Sequence, residues 1–140
     1  MATLSSALSA SVEINGTTYS LVNNESITLT NDDVVHQVYS VPTSETVLGN
    51  LGSLGPGSIN DLAFGVIINR DGTNFVRLRI SDTGGATADI KLKAGEAFLL
   101  HSRDLSVSAT EGAFASFSSI DNIKAQADTA ACDVEILLAY

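Results

Sequence analysis

The sequence predicts an all-β fold: an antiparallel β-sandwich or jelly roll of about nine or ten short strands, in a single domain spanning residues 1–140. Three observations predict it. Short apolar or alternating segments recur at nearly regular spacing, separated by Asn, Asp and Gly turns. Ser, Thr, Asn and Gly, with 17, 12, 9 and 11 residues, fill more than a third of the chain, a mixture suited to strands and turns rather than helices. No strong helical period falls between the strands, so the pattern is not the strand–helix alternation of a parallel sheet.

The first element is the clearest. Val12-Glu13-Ile14 and Tyr19-Ser20-Leu21 alternate in polarity around Asn15-Gly16, the residue pair that favours positive φ at both centres of a type I′ turn. A two-residue loop pairs Ile14 with Thr17 and Val12 with Tyr19, placing Val12, Ile14, Tyr19 and Leu21 on one face. Residues 1–11 read as an extended N-terminal arm before this hairpin. Ser26–Thr30 follows with Ile27 and Leu29 inward, and Asn31-Asp32-Asp33 reads as a turn. Val34–Val41 is apolar on both faces, as a central or interface strand would be.

Residues 42–60 form a long loop carrying the pairs Leu48-Gly49, Leu51-Gly52 and Leu54-Gly55 before Pro56-Gly57. Repeated glycine disfavours both helix and strand. Such a loop either folds over its own core or docks its leucines on a neighbouring subunit. Strands resume with the apolar run Leu62–Ile68, the turn Asn69-Arg70-Asp71-Gly72, and the alternating segment Phe75–Ile80. Ile90–Lys93, the tight turn Ala94-Gly95-Glu96, Ala97–His101, Leu105–Val107 and Phe114–Phe117 continue the pattern. Ile120–Ala130 carries a weak helical period, and Val134–Leu138 closes the chain as a strand.

Charge and chemistry exclude more than they assign. Acidic residues outnumber basic ones 16 to 7, for a net charge of −9, which disfavours nucleic acid and anionic membranes as partners. The N-terminus lacks the basic and apolar regions of a signal peptide, and no stretch approaches a membrane helix in length. Asn15-Gly16-Thr17 and Asn24-Glu25-Ser26 fit the glycosylation triplet, but the first has the simpler reading of a hairpin turn. Cys132 is the only cysteine, so neither an internal disulfide nor a multi-cysteine metal site can form. No catalytic, cofactor-binding or metal-ligating set is predicted, and the chain does not read as an enzyme. His36 and His101 are the only histidines, and no Gly-x-Ser-x-Gly elbow accompanies them. Asn69–Asn74 resembles a calcium loop, but its glycine stands two places too early for the EF-hand pattern.

The basic residues are not evenly spread: Arg70, Arg77, Arg79, Lys91, Lys93 and Arg103 lie within residues 70–103. Pairing Phe75–Ile80 with Ile90–Lys93 places Arg77, Arg79, Lys91 and Lys93 on one face. Like charges opposed across strands destabilise a sheet. That face is either solvated and neutralised by carboxylates such as Asp89 and Glu96, or it docks an acidic partner. Arg77, Arg79, Lys91, Lys93, Leu48, Leu51 and Leu54 are therefore the candidate partner-binding residues.

The run Val66–Ile80, followed by Ile90–Leu100 with its Leu92-Lys93-Ala94-Gly95-Glu96 turn, resembles a recurrent type of small virion protein of tailed bacteriophages. The resemblance covers about 35 of the 140 residues and consists of strand-and-turn grammar, with no site to carry over. It implies a β-sandwich or jelly roll that serves as a capsid decoration (cement) protein, or as a tail, connector or fibre component. The implied partners are the major capsid protein or other virion subunits, the implied location is the virion, and a homotrimer is the implied state. A carbohydrate- or receptor-binding module is the alternative of another class. It would need exposed aromatics, for which Tyr19, Tyr39 and Tyr140 are the tyrosine candidates. Independently of the resemblance, a small acidic domain with mean hydropathy +0.22 and a strand apolar on both faces carries more apolar surface than one core hides. Such surface points to assembly.

Overall fold

The computed structural model describes residues 2–29, 34–48, 62–82, 85, 87–101, 106–107 and 118–140. At the predicted turn, Asn15 and Gly16 have φ of 51° and 78°, and the strands on either side are β1 (Thr3–Ile14) and β2 (Thr17–Thr28). Ile14 faces Thr17 and Val12 faces Tyr19, as expected. The ladder does not stop at Val12. It continues to Thr3 opposite Thr28, so the segment read as a separate arm and the strand read at Ser26 are the two legs of one long hairpin.

The remaining strands are β3 (Val34–Val41), β4 (Thr46–Val47), β5 (Phe64–Asn69), β6 (Val76–Asp82), β7 (Thr87–Leu92), β8 (Ala97–Leu100), β9 (Ser106–Val107), β10 (Ser118–Ala127) and β11 (Cys132–Ala139). Every pairing is antiparallel. One sheet has the order β3-β11-β5-β8, and the other runs β4-β10-β6-β7 with β9 paired to β10. The pairings nest: β3 with β11, β4 with β10, β5 with β8 and β6 with β7. The chain is thus one long folded-back ribbon, rolled until β11 also meets β5 and β10 meets β6.

The two sheets bury their facing sides against each other. Ile67, Leu100, Val134, Ile136 and Leu138 from the first meet the core formed with Val76, Leu78, Leu92, Ile123 and Ala125 from the second. Each fully buried Val, Ile or Leu stabilises the fold by roughly 1.5–3 kcal/mol relative to exposure. The helical expectation for Ile120–Ala130 is corrected: Ile123, Ala125 and Ala127 point inward with a period of two along β10, a strand. Of the two readings of β3, central or interface, the central one is excluded, because the strand lies at a sheet edge. The turn at residues 31–33 and the strand at 114–117 lie outside the described residues.

Asn69 ends β5 with no exposed surface. Its Nδ2 donates to the carbonyls of Asn74 (2.9 Å) and Leu92 (3.2 Å), and its Oδ1 accepts the Asp71 N–H (3.0 Å). Since Leu92 ends β7, this side chain ties one sheet to the other, and its amide is satisfied by protein partners. The calcium-like loop beside it is a closed turn. Asp71 Oδ1 accepts the N–H groups of Thr73 (2.7 Å) and Asn74 (2.5 Å), and these bonds hold its carboxyl below the usual range.

Candidate interaction surfaces

Opposite residues of an antiparallel pair share a face, so the β1–β2 register sorts the hairpin into two sides. From base to tip one side carries Leu4 with Ile27, Ser6 with Glu25, Leu8 with Asn23, Ala10 with Leu21, Val12 with Tyr19 and Ile14 with Thr17. Ile27, like Leu29 beyond it, is buried, and Leu4, Ser6 and Glu25 are half-buried. Beyond Glu25 the cover ends. Val12, Tyr19 and Leu21 are 53%, 58% and 60% exposed. The hairpin is a projecting arm with an apolar stripe, and a shallow concavity on it is lined by Ala10, Ser11, Val12, Tyr19, Ser20 and Leu21.

The arm is fastened at its base. Ser6 Oγ and His101 Nε2 share a hydrogen bond of 2.7 Å, and Glu25 Oε2 lies 3.5 Å from the same nitrogen. His101 sits edge-on to Phe64, with ring centroids 5.8 Å apart. Serine, histidine and carboxylate therefore converge, but both oxygens approach one ring nitrogen. A nucleophile relay needs the hydroxyl and the carboxylate on opposite nitrogens. The group works as a clasp between arm and body.

A second apolar surface lies on the outer side of the β3-β11-β5-β8 sheet. The registers align His36, Leu137, Val66 and Leu99 in one row and Val38, Glu135, Ile68 and Ala97 in the next. Val34, Val38 and Leu99 are exposed, and Val66, Ile68 and Leu137 are half-buried. One polar group interrupts it. Glu135 Oε1 binds His36 Nε2 at 2.7 Å and Oε2 accepts Arg70 Nε at 2.6 Å, which together hold the Glu135 carboxyl below its usual range.

The outer side of the other sheet carries the cations. The two segments pair as expected, and in the register Arg77 faces Lys91 and Arg79 faces Asp89 across β6 and β7, with Lys93 beyond the end of the ladder. Lys124 of β10 lies opposite Arg79 and completes the group. Glu45 bonds Arg77 Nη2, Arg79 Nη1 and Lys124 Nζ, each at 3.1 Å. Asp89 takes two hydrogen bonds from Arg79, at 2.7 and 2.8 Å. Lys124 bound to Glu45 and Arg79 bound to Asp89 hold both carboxyls below their usual range. Lys91 lies 3.9 Å from the centroid of the Phe75 ring, a cation–π contact. Asp89 neutralises the face as expected, but Glu96 does not: its Oε2 accepts the Lys93 N–H (2.9 Å) and closes the turn after β7, where Lys93 also sits. Sequence reasoning missed Glu45 and Lys124. The Asn122, Lys124, Gln126 alternation outside Ile123, Ala125, Ala127 is the signal that identifies Lys124.

Leu48 is corrected from a partner contact to a core residue. It is 1% exposed, its N–H bonds the Ile123 carbonyl, and it fills the sandwich of its own chain. Leu51 and Leu54 lie outside the described residues. Of the three tyrosines, Tyr140 is buried and Tyr39 packs against the core, which leaves Tyr19 exposed. No protein-family model, curated protein or solved structure matches this chain.

Proposed function

We propose that this chain is a virion structural protein that acts by assembly, a decoration (cement) subunit bound to the outside of a phage head. The observation that carries the reading is the arm. A two-stranded ribbon is at best marginally stable alone in water, and this one projects with Leu8, Val12, Ile14, Tyr19 and Leu21 exposed along one side. Such a surface gains stability by being covered in an assembly. The nested pairing of β3 with β11, β4 with β10, β5 with β8 and β6 with β7 supports a jelly-roll reading, an architecture that viral capsid domains use. The likeness of Val66–Ile80 and Ile90–Leu100 to phage virion proteins points the same way. The cation face contributes to this reading: among the described residues Arg77, Arg79, Lys91 and Lys124 gather around two carboxylates, Glu45 and Asp89, a balance that suits an acidic neighbour.

Purified virions test the proposal. An antibody against the chain, with quantitative mass spectrometry, should find it in copy number comparable to the major shell protein. Absence from virions overturns the reading, and a handful of copies moves the protein to the tail or connector.

A further inference from the structure

We infer that the arm of one subunit lays its apolar stripe on the outer face of the β3-β11-β5-β8 sheet of a second copy of this chain. The inference rests on the assembly reading and names its first partner.

Among the described residues, the large exposed apolar side chains fall mainly on two surfaces, the arm stripe and the outer side of this sheet. Val12, Tyr19 and Leu21 represent the first, and Val34, Val38 and Leu99 the second. A single chain leaves both uncovered, while two copies hold both halves of a contact. The two surfaces already meet inside each chain. Ser6 and Glu25, on the stripe side of the arm, reach His101, which packs on Phe64 at one end of the sheet's outer face. In the row that Phe64 shares, Ala139 is buried and Val34 at the sheet edge is exposed, and the Val66 and Ile68 rows beyond it have exposed residues at both ends. The exchange extends an existing type of contact to the part of each surface that the parent chain does not reach.

Dimensions agree. The exposed leg from Leu8 to Ile14 is roughly 23 Å long at about 3.3 Å per residue, against roughly 26 Å for the eight residues of β3. A two-stranded ribbon about 10 Å wide covers roughly 230 Å² over that length. A reciprocal exchange buries four such faces, about 900 Å², the size of a weak, reversible protein contact.

The test uses the full chain and two exposed-site variants, Val12→Ser/Leu21→Ser on the arm and Val38→Ser/Leu99→Ser on the sheet. Circular dichroism checks that each variant keeps its fold, and Tyr19→Ser replaces the arm variant should that variant not fold. Light scattering should give a multiple of the 14.5 kDa chain for the native protein and the single-chain mass for each variant alone. An equimolar mixture should assemble again, because the intact arm of one variant finds the intact sheet of the other. A monomeric native chain, assembly that survives in either variant alone, or a mixture that stays monomeric overturns the exchange. A monomer that is nevertheless abundant on virions removes the exchange and keeps the assembly reading. An arm-dependent oligomer absent from virions does the reverse.

Discussion

Ser6 and His101, 95 residues apart in sequence, share a 2.7 Å hydrogen bond that fastens the projecting hairpin to the sandwich. A typical intramolecular hydrogen bond contributes about 1 kcal/mol net. Ser6→Ala should therefore speed amide hydrogen exchange in β1 and β2 by about fivefold, since each 1.4 kcal/mol is tenfold in an equilibrium. Exchange in β5, β6 and β11 should be unchanged. Equal acceleration in the sandwich would show that arm and body open as one unit and would remove the clasp.

Asn69 supports a larger prediction. Its side chain makes three hydrogen bonds in a site with no exposed surface, one of them across to the opposite sheet. Asn69→Ala leaves the carbonyls of Asn74 and Leu92 and the Asp71 N–H without these partners. The cost should be about 2–4 kcal/mol in urea unfolding, because a buried polar group left unpaired bears its desolvation penalty in full. A loss below about 1 kcal/mol would mean that water replaces the amide.

How far the sequence foretold all this depends on how many levels of signal agree at each place. Asn15-Gly16 and the alternation around it point to one hairpin, and the register is as expected. Toward the base the same strand reads Ser5, Ala7, Ser9, Ser11, with too little contrast in polarity to reveal that pairing continues to Thr3. In β10, Ile120, Ile123, Lys124 and Ala127 fall at helical spacing, and alanine is a weak marker of a buried strand face. The candidate surfaces were legible as patterns and not as places. Periodicity puts Val12, Ile14, Tyr19 and Leu21 on one side, but only the tertiary fold shows that the hairpin runs beyond the body. Val34–Val41 is apolar on both faces because its outer side belongs to an open apolar surface, and an edge strand of that kind reads like a central one. Nothing local distinguishes Asn69, a buried tie between sheets, from an ordinary turn asparagine.

The three carboxylates on the outer faces set a direction for acid stability. Lys124 lowers the Glu45 pKa, Arg79 lowers that of Asp89, and His36 with Arg70 lowers that of Glu135. A depressed folded pKa gives a contribution that is fully present above the unfolded value, about 4.3 for Glu and 3.9 for Asp, and is lost as pH falls toward the folded value. The thermal midpoint should thus be flat from neutral pH to about 5 and decline below it. In Glu45→Gln/Glu135→Gln the decline between about pH 5 and 3 should be shallower, since two of the linked carboxylates no longer titrate while Asp71 and Asp89 still do. Parallel pH profiles for the variant and the native chain would show that these pairs have no linkage to folding.

Cys132 offers a probe that joins these effects. Its thiol is buried at the start of β11, and burial, reinforced by the nearby charges of Asp71, Asp128 and Asp133, raises its pKa. The thiolate is the reacting form, so a buried thiol with raised pKa reacts through the opened state. Native protein at pH 8 should label with a disulfide reagent orders of magnitude more slowly than urea-unfolded chain. Asn69→Ala should raise the native rate by the factor its stability loss dictates, about 30- to 700-fold for 2–4 kcal/mol, because Cys132 belongs to the core that Asn69 ties together. Ser6→Ala should leave the rate unchanged, since the arm opens without exposing β11. Labelling of the native chain at the rate of a free thiol would show that the end of the sandwich bearing Cys132 is open in solution.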